Sequence, residues 1–416
     1  MLDLAVISLT ILALMTASLA EARRHYVTQR IPETVVIDGS VLDSTRQRLR
    51  HGDKSLNAQL QHLKAQADSW LSQGPWTVTT KAKAPPNGTI HDYASQAPYW
   101  WPNPNTADKC PYVQKDGQRN PEADQYQDRL NVGKMFNSTY ILSLAWYYTQ
   151  DEKYSAHAAS ILRTWFLDRK TRMNPNLNHA QIIPCANSGR AIGIIDFSQE
   201  YTNVLDAVSI LNTGAPGWTK HDKDEFLAWN TQFLNWLYES SFGKSESGQS
   251  NNHGTFANMQ TSAIALFTGK KSLAAQISKK AKALINTQIS TNGSQPEELA
   301  RTRSWHYSNF NLGAHLRWAL IAKKVGIDLY RYKGPEGQSL FGAVNFLVRA
   351  AARGESEWQY EELEFKIYAA TDNVHAAALA GLCQAKRVIG KLGAPPAGDI
   401  FDLRPAPQQL DSIVTL

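Results

Sequence analysis

The apolar residues of this chain recur at helical spacing over most of its length, and that periodicity restricts the fold more than any other feature. Phe226, Trp229, Phe233, Trp236 and Leu237 fall at i, i+3, i+7, i+10 and i+11, one face of an amphipathic helix. Phe256, Met259, Ala263, Leu266 and Phe267 repeat the pattern, and Phe136, Tyr140, Leu144 and Tyr147 follow a related one. Similar segments cover about residues 54–73, 152–167, 189–212, 271–289, 297–326, 339–352 and 373–391. Strand signals are short and few, at Tyr26 to Ile37 and Trp76 to Thr80. With 416 residues, 43% of them hydrophobic, the chain can bury a large core. The expectation is an all-α protein in which short connectors turn successive helices into antiparallel hairpins. Such hairpins suit an α/α toroid or an irregular bundle, and periodicity alone does not separate the two. No shift in composition marks an internal boundary, so residues 21–416 read as one domain.

Three irregular stretches interrupt the helices: residues 75–124, 170–188 and 243–252, rich in Pro, Asn, Gly and Trp. They hold too many aromatics for disorder, and long loops in a helical domain usually carry function. The first residues read differently again. Leu4 to Ala20 is an apolar run ending in small residues, with Ser18 and Ala20, or Ala20 and Ala22, suited to signal-peptidase cleavage. Asp3 and the lack of Lys or Arg before the run depart from the usual pattern. The run is shorter than the roughly 20 residues of a membrane span, so residues 1–20 are expected to be a signal peptide and the protein secreted, with no membrane association after removal. Sequons at Asn87, Asn137 and Asn292 agree with secretion as candidate glycosylation sites. Of three cysteines, Cys110 and Cys185 lie in loop-like sequence and are the expected disulfide. Cys383 sits among Leu379, Leu382 and Ile389 and is expected to be buried. Their spacing fits no zinc motif. A net charge of +6 without a block of like charges argues against nucleic acid and is compatible with an acidic polymer.

Four clusters could carry chemistry. In Ser250-Asn251-Asn252-His253-Gly254, at a loop-to-helix junction, an amide and an imidazole could hold a carboxylate and move a proton; the cluster could equally be a plain capped helix start. The run Gln295 to Tyr307 reads as one helix after Pro296, with Arg303 and Tyr307 neighbours at i, i+4 and Arg301 projecting elsewhere. A cation beside that tyrosine would lower its pKa; alternatively the arginines pair with Glu297 or Glu298. In Asp92 to Pro104, Tyr93, Trp100 and Trp101 could stack on sugar rings or pin the loop to the body. Asn178, Gln181 and Arg190 form a fourth group that could bind an anion, or Arg190 could pair with Asp196.

Taken in order, DYASQAPYWWPNP, NPNLNHAQ, SGRAIGIID, NNHG and ELARTRSWHYSNFNL resemble the alginate lyase superfamily of polysaccharide lyases, closest to its branch acting on alginate and glucuronan. The motifs span about residues 90–315. The resemblance implies an α/α toroid, an incomplete (α/α)6–7 barrel, cleaving 1,4-linked uronates by β-elimination without a cofactor or metal. Its partner would be an acidic polysaccharide, not nucleic acid, and a monomer is expected. Carried over residue by residue, the family's Asn-His pair falls on Asn252 and His253 and its tyrosine on Tyr307. Other members carry an arginine seven residues before the tyrosine, where this chain has Ala300; Arg301 takes that role here, with Arg303 as the helical neighbour. Tyr93, Trp100, Trp101, Asn178, Gln181, Arg190, Arg303 and His306 are the candidate substrate-binding residues.

That chemistry needs such residues. Removing the C5 proton beside a carboxylate requires the carboxylate's charge to be offset, here by Asn252 with Arg301 or Arg303. A base must take the proton and an acid must protonate the leaving O4. On one face of the sugar, Tyr307 could do both; on opposite faces, His253 is the better base and Tyr307 the acid. One rival is an inverting glycoside hydrolase, which needs two carboxyl groups about 6.5–9.5 Å apart. Asp92, Asp196 and Glu298 are its candidates. A second rival is a non-catalytic polysaccharide-binding protein on the same fold.

Overall fold

The computed structural model describes residues 30–410; the expected signal peptide, residues 1–20, lies outside them. The described residues are 58% helix and 4% strand. Its principal helices are α1 (Gly39–Arg50), α2 (Lys54–Trp70), α3 (Asp128–Thr149), α4 (Glu152–Leu162), α5 (Tyr201–Leu211) and α6 (Lys220–Glu239). They continue with α7 (Ser241–Ser247), α8 (Asn252–Phe267), α9 (Lys271–Gln288), α10 (Ser304–Lys323), α11 (Leu340–Arg353) and α12 (Thr371–Leu379). Local chemistry sets many of their starts. Asp38, Asp53 and Asp151 each accept a hydrogen bond from the backbone two residues on, and Thr219 with Asp222 forms a capping box at α6. Gln150, left-handed at φ +59°, ends α3, so that only two residues separate it from α4.

The fold is an α/α toroid. Helices α3, α5, α8, α10 and α12 pack successively against one another as an inner ring. Helices α2, α4, α6, α9 and α11 lie outside them, each presenting one apolar stripe inward. The inner helices are covered on nearly every side: from Met135 to Tyr148, α3 has only Asn137 less than fully buried. On the C-terminal side, the turn Phe401–Leu403 packs on α1 and α2, the Tyr148 hydroxyl donates to Leu403 O at 2.8 Å, and Arg404 meets Asp372 at 2.6 Å. Among the described residues, no helix is long and apolar enough to cross a membrane.

Several expectations change. The segment 297–326 is not one helix: Pro296–Leu299 forms a single turn, the chain leaves helical geometry, and α10 begins at Ser304. Tertiary hydrogen bonds override propensity here. Arg303 bridges Glu362, Ser304 N donates to Glu361 O, and Leu363 N donates to Thr302 O. Residues 243–252 are not all loop, because α7 follows α6 directly. Its Gly243 sits where a Cβ would collide with the carbonyl oxygen of Leu237. Tyr26 to Ile37 forms no strand within its described part. There the N–H groups of Val35, Val36 and Ile37 donate to the buried Asp206 carboxylate at 2.5–3.0 Å. Trp76 to Thr80 closes as a 3-10 turn, Val78–Thr80, capped by Thr77.

The long loops carry the strand structure. Strand β1 (Ala94–Gln96) pairs in parallel with β4 (His179–Ile182), and β2 (Trp100–Trp101) pairs antiparallel with β3 (Val113–Gln114). A disulfide joins Cys110 to Cys185, and the buried Lys81–Asp128 pair, 2.9 Å, anchors β1 through Ala94 N on Asp128. Cys383 is exposed, not buried: it opens the helix Cys383–Val388, whose inward position is Ala385, and Leu379 points outward too. Asn87 and Asn292 are exposed, whereas Asn137 sits half-buried in α3 beside a cavity, next to Ser138 and Thr139, whose hydroxyls are bonded back to the helix; an exposed sequon does not fit there.

Asp206→Ala would leave three buried N–H groups without an acceptor. We expect a loss of about 3–5 kcal/mol in chemical denaturation, with a lowered Tm.

Candidate active site

The loops close over one end of the inner ring to leave a cleft of about 480 Å³. Tyr307 lies in the first turn of α10 and reaches it with its hydroxyl 2.9 Å from that of Tyr99. The break before α10 undoes the i, i+4 pairing of Arg303 with Tyr307 that a continuous helix would give. Arg301 places its guanidinium 3.7 Å from the centre of the Tyr307 ring, while Arg303 turns toward Glu362 and Glu364 and lines a neighbouring cavity instead. Arg301 is itself held by Asp116, with contacts of 3.0 Å from Nε and 2.5 Å from Nη2. Burial alone would raise the Asp116 carboxyl, but the hydrogen bonds and charge of Arg301, with Thr302, hold it below its ordinary range. Tyr307 moves the other way from the expectation: burial, followed by Tyr99, pushes its phenol well above 10, against the opposing pull of Arg301.

Across the cleft, Asn251 caps α8 by accepting from His253 N at 3.1 Å, and this places Asn252 and His253 in the first turn. The His253 ring is partly exposed and meets the fully buried Glu246 of α7 at 2.7 Å through Nδ1. With Nδ1 on a carboxylate, the imidazole orientation is fixed and Nε2 is left for the cleft. Asn252 is buried, and both its backbone N–H and its Nδ2 donate to Glu298, each at 2.8 Å. An amide nitrogen carries two hydrogens, so one remains to donate elsewhere.

A third wall comes from β4 and the segment after it. Gln181, at a left-handed φ of +55°, donates to Asp196 at 3.1 Å and accepts from Arg190 at 2.6 Å. Asp196 also accepts from Tyr93 and Ser95 and lies 3.6 Å from Arg129. Arg129 and Arg190 therefore flank one carboxylate and face the cleft.

Of the remaining sequence candidates, Trp100 and His306 line the cleft. Tyr93 is fully buried against Phe197 and reaches no substrate. Trp101, on the opposite face of β2, bonds Gln118 O and does not line the cleft, as side chains alternate along a strand. Asn178 is spent on the surface, accepting from Trp236 at 3.1 Å. The carboxylates a hydrolase would need do not converge. Asp92 staples a turn through Thr89 and Asn174, Asp196 is committed to its four partners, and Glu298 lies beneath Asn252.

Residues 77–358 match the alginate lyase family. The chain belongs to that family. It is a polysaccharide lyase. An alginate lyase from Bacteroides ovatus has a similar structure, with a TM-score of 0.84, 33% identity, and coverage of 90% of this chain and 100% of that one. Alginate lyase A1-III, in a variant complexed with a tetrasaccharide, shares the fold at 16% identity and TM-score 0.56, covering 90% and 98% of the two chains. The same enzyme from Sphingomonas species A1 gives 16% identity and TM-score 0.50 over 82% and 93%. No curated protein matches.

Sequence reasoning on this lyase missed Tyr99, Asp116, Arg129 and Glu246 as members of the site. Tyr99 stood inside a motif already noted and Glu246 only seven positions before His253, but Asp116 and Arg129 act across 185 and 67 positions of chain and give no local signal.

Glu298 provides a test by pH. Burial drives its carboxyl up from 4.5 to about 7, against the hydrogen bonds of Asn252 and the charges of Arg301 and His253. The folded protein thus holds a proton that the unfolded chain has already released, so stability should fall as pH rises from about 4.5 to 7, by roughly 3 kcal/mol at most. Melting curves across that window should show the loss in the wild type, and a flatter profile in Glu298→Gln.

Proposed function

We propose that this polysaccharide lyase cleaves alginate and glucuronan, 1,4-linked polyuronates, by β-elimination with Tyr307 and His253 as its proton-transfer groups. The observation that carries the reading is their sharing of one cleft, each with a partner suited to proton transfer. A guanidinium lies over the phenol ring, and a buried carboxylate holds the imidazole. Arg129, Arg190 and Arg301 outnumber Asp116 and Asp196 in the cleft lining, and the excess positive charge suits a polymer with one carboxylate per sugar.

In this scheme the C5 carboxylate of the reacting sugar accepts the second Nδ2 hydrogen of Asn252. Donors fixed before the reaction stabilise the enolate-like charge better than water can, because they need no reorganisation. Where the C5 hydrogen and O4 lie on one face, the Tyr307 oxygen takes the proton and returns it to O4 as the C4–O bond breaks. Where they lie on opposite faces, His253 Nε2 takes the C5 proton and the Tyr307 hydroxyl protonates O4. Either route leaves a C4–C5 double bond. Arg301 contributes through the phenol ring, since Asp116 already shares its charge. Trp100, His306, Gln181 and Arg190 are the proposed contacts to neighbouring sugars. Neither route draws on a metal or cofactor.

The same reading extends to the setting of the enzyme. A leader over residues 1–20, exposed sequons at Asn87 and Asn292, and the Cys110–Cys185 bond together support secretion; the reading is of a monomer with one catalytic domain over residues 21–416.

Tyr307→Phe removes one phenolic oxygen and should lower kcat by about 10²- to 10⁴-fold with little change in Tm; turnover at the wild-type rate would remove Tyr307 from the mechanism. Initial rates on pure polymannuronate, polyguluronate and glucuronan, followed by ultraviolet absorbance of the new double bond, should show turnover of more than one polymer. Activity on a single polymer would end the two-route scheme, and none at all would end the proposed substrate class.

A further inference from the structure

The Tyr307 hydroxyl has one hydrogen-bond partner among the described residues, the Tyr99 hydroxyl at 2.9 Å. Tyr99 belongs to the turn between β1 and β2, and its backbone is tied down: Lys115 N donates to Tyr99 O at 2.8 Å, and Asn120 N to Pro98 O at 2.7 Å. Its side chain stands between the cleft and the neighbouring cavity of about 640 Å³, lining both. A buried phenolate at position 307 needs compensation. Arg301 lies over the ring face rather than at the oxygen, and divides its charge with Asp116. That leaves a single O–H able to donate to the oxygen itself.

Building on the β-elimination reading above, we propose that Tyr99 is the positioning residue for Tyr307: its hydroxyl turns to donate to the Tyr307 oxygen whenever that oxygen is deprotonated, and turns back to accept when it is protonated. The proton account closes without Tyr99 losing its own hydrogen. The C5 proton passes to Tyr307 and on to O4, or it passes to His253 Nε2 while Tyr307 gives its own proton to O4; in both routes the Tyr99 hydrogen only rotates about its C–O bond. A hydrogen bond to a charged oxygen is stronger than one between neutral groups, and it fixes where the oxygen points. The other titratable groups around Tyr307 are Arg301 with Asp116, His306 with its ring 5.0 Å away, and, lining the same cleft, His253, Arg129, Arg190 and Asp196.

Tyr99→Phe should lower kcat by about 10- to 100-fold with KM changed less than about threefold, and should cost little more in the Tyr307→Phe background, where the oxygen to be positioned is already gone. A Tyr99→Phe enzyme within about twofold of wild-type kcat overturns the proposal, and so does one whose loss lies in KM or is as large in the Tyr307→Phe background as in the wild type. Failure of the underlying reading looks different: the wild type would make no unsaturated product from any polyuronate, or Tyr307→Phe would keep full activity whatever position 99 holds.

Discussion

The site depends on the ion pair between Asp116 and Arg301. Asp116 comes from the aromatic loop after β3, and Arg301 from the interruption that precedes α10. Their bond holds Arg301 over the Tyr307 ring, and Thr302 donates to Asp116 as well. Two planar groups meeting edge to edge leave little rotational freedom, so the guanidinium arrives at the ring already ordered. The same contact fastens the loop bearing Tyr99 and Trp100 against α10. Without it, the cleft would lose a wall and the phenol its cation together.

The toroid supplies the rigidity behind this. Inner helices covered on all sides cannot shift without repacking their neighbours, so the first turns of α8 and α10 hold fixed positions at the cleft. The ring is also unusually polar inside. Arg317 is fully buried on α10, 5.6 Å from the Phe256 ring, and burial brings its guanidinium down to about 10. Gln288 accepts from Thr255, Asn311 and His315 and so joins α9 to α8 and α10. Directional bonds of this kind select one register of helix against helix where apolar contact alone would tolerate several.

The helices were readable wherever one face met the core and the other met water. Phe226 to Leu237 and the segment 271–289 show that contrast, and they form α6 and α9. Boundaries failed where a distant strand-like contact intervened. Nothing near Thr302 and Arg303 announces that residues 361–363 will bond to them, and the break they impose takes Arg303 away from the helical position beside Tyr307. Cys383 failed for a related reason: apolar neighbours in sequence need not face inward at the edge of a ring.

For the site, the chain order of its motifs was enough to give the family, and the imidazole, amide and phenol that it singled out line one cleft. The first turn of α8 is a local property, capped by the adjacent Asn251, whereas α10 begins where residues 361–363 bond to the chain before it. The partners that prepare those groups came from elsewhere: Glu246 for His253, Glu298 for Asn252, Asp116 and Tyr99 for Tyr307. Side-chain charge and hydrogen bonding act through space over a few ångströms, and one sequence does not encode in any local pattern which distant residues will come that close. Hence the sequence determined the family and singled out the candidate groups, and the folded ring decided what surrounds them.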